Sequence, residues 1–155
     1  MKLAIYDMDG TIVDSSHRYT TQIDESGVEK INLQYWRDNS YKAMQDTTLP
    51  LYKQYLADLA DPGTYVIIAT ARVMGLADWE FVNTVLGMPD YFISRKADDN
   101  QSGKTMKING LQKFFNLKQF KPANAIFYED NMEYLKAVCD HFNIRGVYIP
   151  SNQGH

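Results

Sequence analysis

The 155-residue chain holds a single cysteine, Cys139, with five prolines and nine glycines. One thiol excludes an intramolecular disulfide and a cysteine-built zinc site. Cys139 therefore reads as a small buried side chain on a helix. No stretch approaches the roughly 20 apolar residues of a membrane-spanning helix. The first residues lack the charged start and long apolar core of a secretory signal. These absences lead us to expect a cytoplasmic protein with no membrane role. Neither sign of charge dominates: 16 basic and 19 acidic residues leave a net charge of −3. Long-range attraction to nucleic acid is then weak, and a polyanionic partner has to be held by a local cationic patch. His17, His141 and His155 are too scattered to form a metal set, and surface roles are expected for them. Repeats, low-complexity segments and linkers are also missing, so residues 1–155 read as one domain.

What is present is a chain with 45% hydrophobic residues, enough for a sizeable core. Residues 3–6 form a short apolar run closed by Asp and Gly, which suits a buried parallel strand. Residues 14–45 are polar and aromatic with weak periodicity, and read as a flap or minimal cap. Between residues 47 and 60, Leu49, Tyr52, Tyr55, Leu56 and Leu59 recur at helical spacing, and Asp61-Pro62-Gly63 ends that helix. Residues 65–70, Tyr-Val-Ile-Ile-Ala-Thr, are the strongest strand. A helix follows over 76–86, a third strand over 91–93 and a loop over 95–105. A helix is expected over 106–115, a fourth strand over 123–128, a helix over 132–142 and a fifth strand over 146–149. This alternation predicts an α/β fold: a Rossmann-like, doubly wound, mostly parallel five-stranded sheet.

In such a sheet, ligands bind beyond the carboxyl ends of the strands. The chemistry collects there. The first strand is followed by Asp7-Met8-Asp9-Gly10-Thr11, the second by Thr70-Ala71-Arg72 and the fourth by Glu129-Asp130. Asp7, Asp9 and Asp130 offer hard oxygen ligands in the number that magnesium accepts. Crowded carboxylates otherwise raise one another's pKa values. Thr70 adds a hydroxyl, Arg72 a planar fork suited to phosphate, and Lys104 or Lys107 a compact cation. Carboxylates, a hard cation and several donors suit phosphoryl transfer. Gly103-Lys104-Thr105 echoes the end of a P-loop, but the leading glycine falls on Asp98, so that motif fails.

These residues resemble the haloacid dehalogenase-like (HAD-like) hydrolase superfamily. Its four motifs match Asp7-Met8-Asp9-Gly10-Thr11, Thr70, a lysine near the start of a later helix, and Glu129-Asp130, in order along nearly the whole chain. The resemblance implies Asp7 as the nucleophile that forms an aspartyl-phosphate, and Asp9 as the acid and then base. Asp7, Asp9 (through its carbonyl) and Asp130 would hold Mg2+, with Glu129 helping directly or through water. Thr70 and the lysine would bind the phosphoryl oxygens. Lys107 is favoured over Lys104 because it opens the amphipathic helix; Lys104, Gly10, Thr11, Ala71 and Arg72 are expected at the substrate.

Within the superfamily the chain looks most like the phosphatase domains of phage polynucleotide kinase-phosphatases, because Arg72 follows Thr70 by two residues and no large cap is inserted. That resemblance implies a polynucleotide 3′-phosphate end as substrate. A mononucleotide or other small phosphomonoester is the alternative. One departure is that the acidic residue this group carries four positions before the lysine is Gly103 here. Tyr19, Tyr35, Trp36 and Tyr41 could stack on bases or simply pack the flap. A receiver-like signalling module is a remote reading, since its acceptor Asp would end the third strand, where this chain has Ile93-Ser94.

Overall fold

The computed structural model describes residues 1–18 and 21–151. The elements run β1 (Lys2–Tyr6), β2 (Val13–Asp14), a 3-10 turn (Ser16–Arg18), β3 (Thr21–Ile23), β4 (Glu29–Ile31), α1 (Leu33–Asp38), a 3-10 stretch (Ser40–Gln45) and β5 (Thr47–Thr48). They continue with α2 (Tyr52–Ala60), β6 (Thr64–Val73), α3 (Leu76–Phe81), a π-type turn (Val82–Leu86), β7 (Tyr91–Arg95) and α4 (Gly103–Phe115). A 3-10 turn (Pro122–Asn124), β8 (Ala125–Glu129), α5 (Met132–Phe142) and β9 (Arg145–Tyr148) complete the chain.

Five strands form one sheet in the order β7-β6-β1-β8-β9. Every neighbouring pair is parallel. Parallel strands need covering on both faces, and the side-chain alternation of β1 and β6 supplies two apolar surfaces. Leu3, Ile5, Ile67, Ala69 and Phe127 join Leu111 and Phe114 of α4 and Val138 of α5 in one core. Ala4, Tyr6, Val66, Ile68 and Tyr128 join Tyr55 of α2 and Phe81 of α3 in the other. The chain leaves β1 toward β6 on one side and later returns to β8 on the other. The carboxyl ends of the three central strands therefore meet at the switch point where such sheets bind ligands.

The flap is a compact excursion. Its β3–β4 hairpin pairs Thr21 with Ile31 and Ile23 with Glu29. The β2 and β5 strands pair Val13 with Thr48 and Asp14 with Thr47, which closes its neck. Residues 47–48, expected to begin the helix, belong to that neck. Pro50 follows them, and regular helix starts only at Tyr52. Helix α4 begins at Gly103, three residues earlier than the periodicity suggests, because the Ser102 hydroxyl caps it by accepting from the Thr105 N–H. Cys139 sits half-buried on α5, and burial pushes its thiol up to about 11. Tyr19 and His155 lie outside the described residues. No helix among the described residues is long and apolar enough to cross a membrane.

Candidate active site

Asp7 extends β1 by one residue, its N–H donating to the Tyr128 carbonyl at 2.9 Å. The chain must then turn sharply. Gly10 does this at φ +78°, in the left-handed region that favours glycine. Its N–H donates to the Val13 carbonyl at 2.9 Å. Thr11 is fully buried, and its hydroxyl donates to Asp7 Oδ2 at 2.9 Å. Gly10 and Thr11, expected to touch substrate, instead build and brace the loop that presents Asp7. Both of their donors are engaged within the protein.

Lys107 Nζ donates to Asp7 Oδ1 and to Glu129 Oε2, each at 2.7 Å. The ammonium is buried because Lys107 lies on the stripe Gly103, Lys107, Leu111 and Phe114 that α4 turns to the sheet. Lys104, one helical step aside, is an exposed cation 2.7 Å from Glu133. Its expected place at the substrate is therefore not where the side chain lies. Glu129 Oε1 accepts from the N–H groups of Asp130 and Asn131 at 3.1 and 3.2 Å. Asp130 Oδ2 accepts from the Ser151 hydroxyl at 2.8 Å.

Asp7, Glu129 and Asp130 each place a carboxylate oxygen within 4.8 Å of the others, all of them buried. Burial raises the Asp7 carboxyl above its ordinary value, and nearby Asp130 adds to the rise; Lys107 opposes it. Burial and then Asp7 lift Glu129 well above the usual range. Burial works against the charge on Lys107, but Asp7 and Glu129 outweigh it and hold the ammonium protonated. If all three carboxylates ionise, the cluster with its ammonium carries two net negative charges. A hard divalent cation matches that residual charge and that all-oxygen donor set.

Asp9 leaves the same loop in another direction. Its carboxylate accepts from Arg72 through both Nε, at 3.1 Å, and the terminal nitrogen NH2, and from the Ser15 hydroxyl at 2.7 Å. It is not part of the three-carboxylate group. Arg72 is the main departure from expectation. Its fork reaches carboxylates of the protein itself: Asp9, Asp78 at 2.7 Å and Asp46 at 3.3 Å. The Trp36 ring covers it at 5.4 Å. A guanidinium committed to three carboxylates has little left for phosphate. Burial opposes its charge and these carboxylates overcome the penalty, keeping it ionised. Thr70 is buried at the end of the apolar part of β6, and its Oγ accepts from the Arg72 N–H at 3.1 Å. The Ala71 carbonyl accepts from Arg95 Nε at 2.9 Å.

A pocket of about 610 Å³ opens over this group. Asp7, Asp9, Thr70, Ala71, Arg72, Lys107 and Glu129 form its floor, Trp36 and Arg37 of the flap one wall, and Arg95, residues 99–103 and Tyr134 the other. Ser15, Asp46, Asp78 and Tyr134 join the site without belonging to any of its motifs. Asp78 carries a weak local signal, accepting from the Gly75 N–H at the start of α3; the others carry none.

The five-stranded parallel sheet with its ordered motifs has the haloacid dehalogenase-like fold. A solved hydrolase of this superfamily from Streptococcus pneumoniae superposes over 96% of this chain and 84% of its own, with a TM-score of 0.64 at 15% identity. A chain of the Pnkp1/Rnl/Hen1 complex superposes over 96% of this chain and 45% of its own, with a TM-score of 0.67 at 17% identity. Such identities establish the fold. More specifically, the family model for bacteriophage T5 5′-deoxynucleotidase matches residues 1–145, and the chain belongs to that family. The 5′-deoxynucleotidase of Escherichia phage T5 is 34% identical over 84 residues, covering 52% of this chain and 34% of that protein.

Proposed function

We propose that the chain is a magnesium-dependent phosphomonoester hydrolase that passes the phosphoryl group through Asp7 and takes 5′-deoxynucleoside monophosphates as substrates. The observation that carries this is the buried cluster of Asp7, Lys107, Glu129 and Asp130, the first three of which line a nucleotide-sized pocket. Asp7, Glu129, Asp130 and the carbonyl of Asp9 would hold the cation, which would supply charge neutralisation at the phosphoryl oxygens. A carboxylate oxygen of Asp7 attacks phosphorus and the ester P–O bond breaks. Asp9 gives a proton to the departing 5′ oxygen. Asp9 then takes a proton from water, whose oxygen attacks the aspartyl-phosphate. Inorganic phosphate leaves and Asp7 is restored. Lys107 and the Thr70 hydroxyl offset the charge that builds on the phosphoryl oxygens.

The substrate class draws on the family and on pocket size. A phosphate alone does not fill about 610 Å³, a volume within the range of small-molecule sites. A polynucleotide 3′-phosphate has fold likeness and the Thr70–Arg72 spacing behind it, but Arg72 is engaged by Asp9, Asp46 and Asp78 and Gly103 departs from the pattern of that group. A substrate panel with and without Mg2+ tests the proposal: 5′- and 3′-deoxynucleoside monophosphates, ribonucleotides and a 3′-phosphorylated oligonucleotide. The 5′-deoxynucleotides should show the highest kcat/KM, and only with Mg2+. Preference for the oligonucleotide overturns the substrate assignment, and absence of any phosphatase activity overturns the whole reading.

A further inference from the structure

Resting on that reading, we propose that Asp46, where the flap returns to the body, is a positioning residue for the reaction: through Arg72 it fixes the carboxylate of Asp9. The flap leaves and re-enters through the neck in which Val13–Asp14 pair with Thr47–Thr48. The Leu49 N–H to Ile12 carbonyl bond at 2.9 Å continues that closure. Immediately above the neck, Asp46 is buried against the body. One of its oxygens lies 3.3 Å from an Arg72 terminal nitrogen, and the other 2.7 Å from His17 Nε2. The same guanidinium nitrogen that meets Asp46 also meets Asp9.

The flap thus grips Asp9 twice. Ser15 donates to its Oδ1 directly, and Asp46 acts through Arg72. Asp78, at the first turn of α3, holds the far arm of the fork at 2.7 Å. The fork's plane is therefore set by a carboxylate on each side, and a planar bidentate pair transmits that orientation to Asp9. Buried ion clusters are weak devices for stability, because desolvation of each charge offsets most of the attraction. Geometric definition is what this cluster supplies. An acid that must meet a leaving oxygen within hydrogen-bond reach loses much of its effect when displaced by an ångström.

The test separates positioning from folding by leaving group. An alkyl ester such as a 5′-deoxynucleotide needs a proton delivered to its leaving oxygen, whereas p-nitrophenyl phosphate releases a stable phenolate and does not. With Mg2+ present, Asp46→Asn should lower the single-turnover rate of phosphoryl transfer from the 5′-deoxynucleotide to Asp7 by about a hundredfold. The substrate Kd should stay within about twofold, and the single-turnover release of p-nitrophenolate within about threefold, since neither depends on the delivered proton; Asp9 also serves the shared hydrolysis step, so the first turnover is the readout. Asp46→Glu, which keeps the charge and shifts it by one methylene, should show the same selectivity and carries the test if Asp46→Asn does not fold. Equal losses of the single-turnover rate on both esters, no loss on either, or a change confined to Kd overturns the proposal while leaving the phosphatase reading intact. A wild-type protein that hydrolyses neither ester overturns both.

Discussion

Lys107 Nζ lies 2.7 Å from Asp7 Oδ1, although the two residues are 100 positions apart in the chain. The contact joins the helix after β7 to the loop after β1, and the same ammonium reaches Glu129 at the end of β8. One cation therefore locks the ends of two strands and one helix into a single unit.

Lys107→Ala should reduce kcat by at least about a hundredfold, the scale on which preorganised charge partners act. Lys104→Ala should change it by less than about twofold, since an exposed ion pair with Glu133 contributes little. Steady-state kinetics on the two variants decides the matter, and the reverse ranking would reassign the motif lysine.

Asp7→Asn should fold and yet form no aspartyl-phosphate. Acid-quenched wild-type enzyme should carry the mass of one added phosphoryl group after mixing with substrate and Mg2+, and the variant none. A phosphorylated Asp7→Asn protein would locate the nucleophile elsewhere.

The pH dependence of stability follows from burial of the acidic group. Asp7 and Glu129 have folded-state pKa values above their unfolded ones, through burial first and neighbouring carboxylates second. Groups raised in this way favour the fold while protonated, below their unfolded values. That contribution disappears as pH rises through their folded values. Without divalent cations, the melting temperature should therefore fall as pH climbs above the ordinary carboxylate range. Asp24 and Asp61, held low chiefly by side-chain hydrogen bonds from Ser26 and Thr64, act in the opposite sense and only at lower pH. Mg2+ should reduce the high-pH loss, and a site at a hundredfold excess over Kd gains about 2.7 kcal/mol. Calorimetric scans across pH with EDTA or Mg2+ measure this, and Glu129→Gln should flatten the metal-free curve.

Gly103→Asp, which restores the acid found in the polynucleotide phosphatases, should destabilise the protein. A Cβ there would lie 2.6–2.8 Å from three atoms of the Tyr134 ring. That ring lines the pocket and stands 5.5 Å from Lys107 Nζ. Overpacking of this kind costs about 1–3 kcal/mol, read as a lower denaturant midpoint. Gain of 3′-phosphatase activity in a variant of unchanged stability would contradict this account.

Much of the architecture is legible in local pattern. The apolar run of residues 3–6 and the β-branched run ending at Thr70 occupy the centre of the sheet because each must be covered on both faces. The helix Met132–Phe142 follows its apolar spacing to the residue. Residues 47–48 misled because a two-residue strand gains its meaning from Val13–Asp14, more than thirty positions away. Gly103 falls in the expected loop yet starts α4, since the Ser102 cap outweighs a weak apolar pattern.

The site divides along the same physical line. The order of Asp7, Asp9, Thr70, Lys107, Glu129 and Asp130 on strand ends and a helix start is written in the chain, because strand termination and side-chain chemistry are local properties. The partners of each group are not. That Arg72 faces Asp9, Asp46 and Asp78 rather than standing open, and that Lys107 turns inward while Lys104 does not, depends on which surfaces meet across the sheet and flap. Spacing can name the charges; only the packed fold decides which opposite charge each one neutralises.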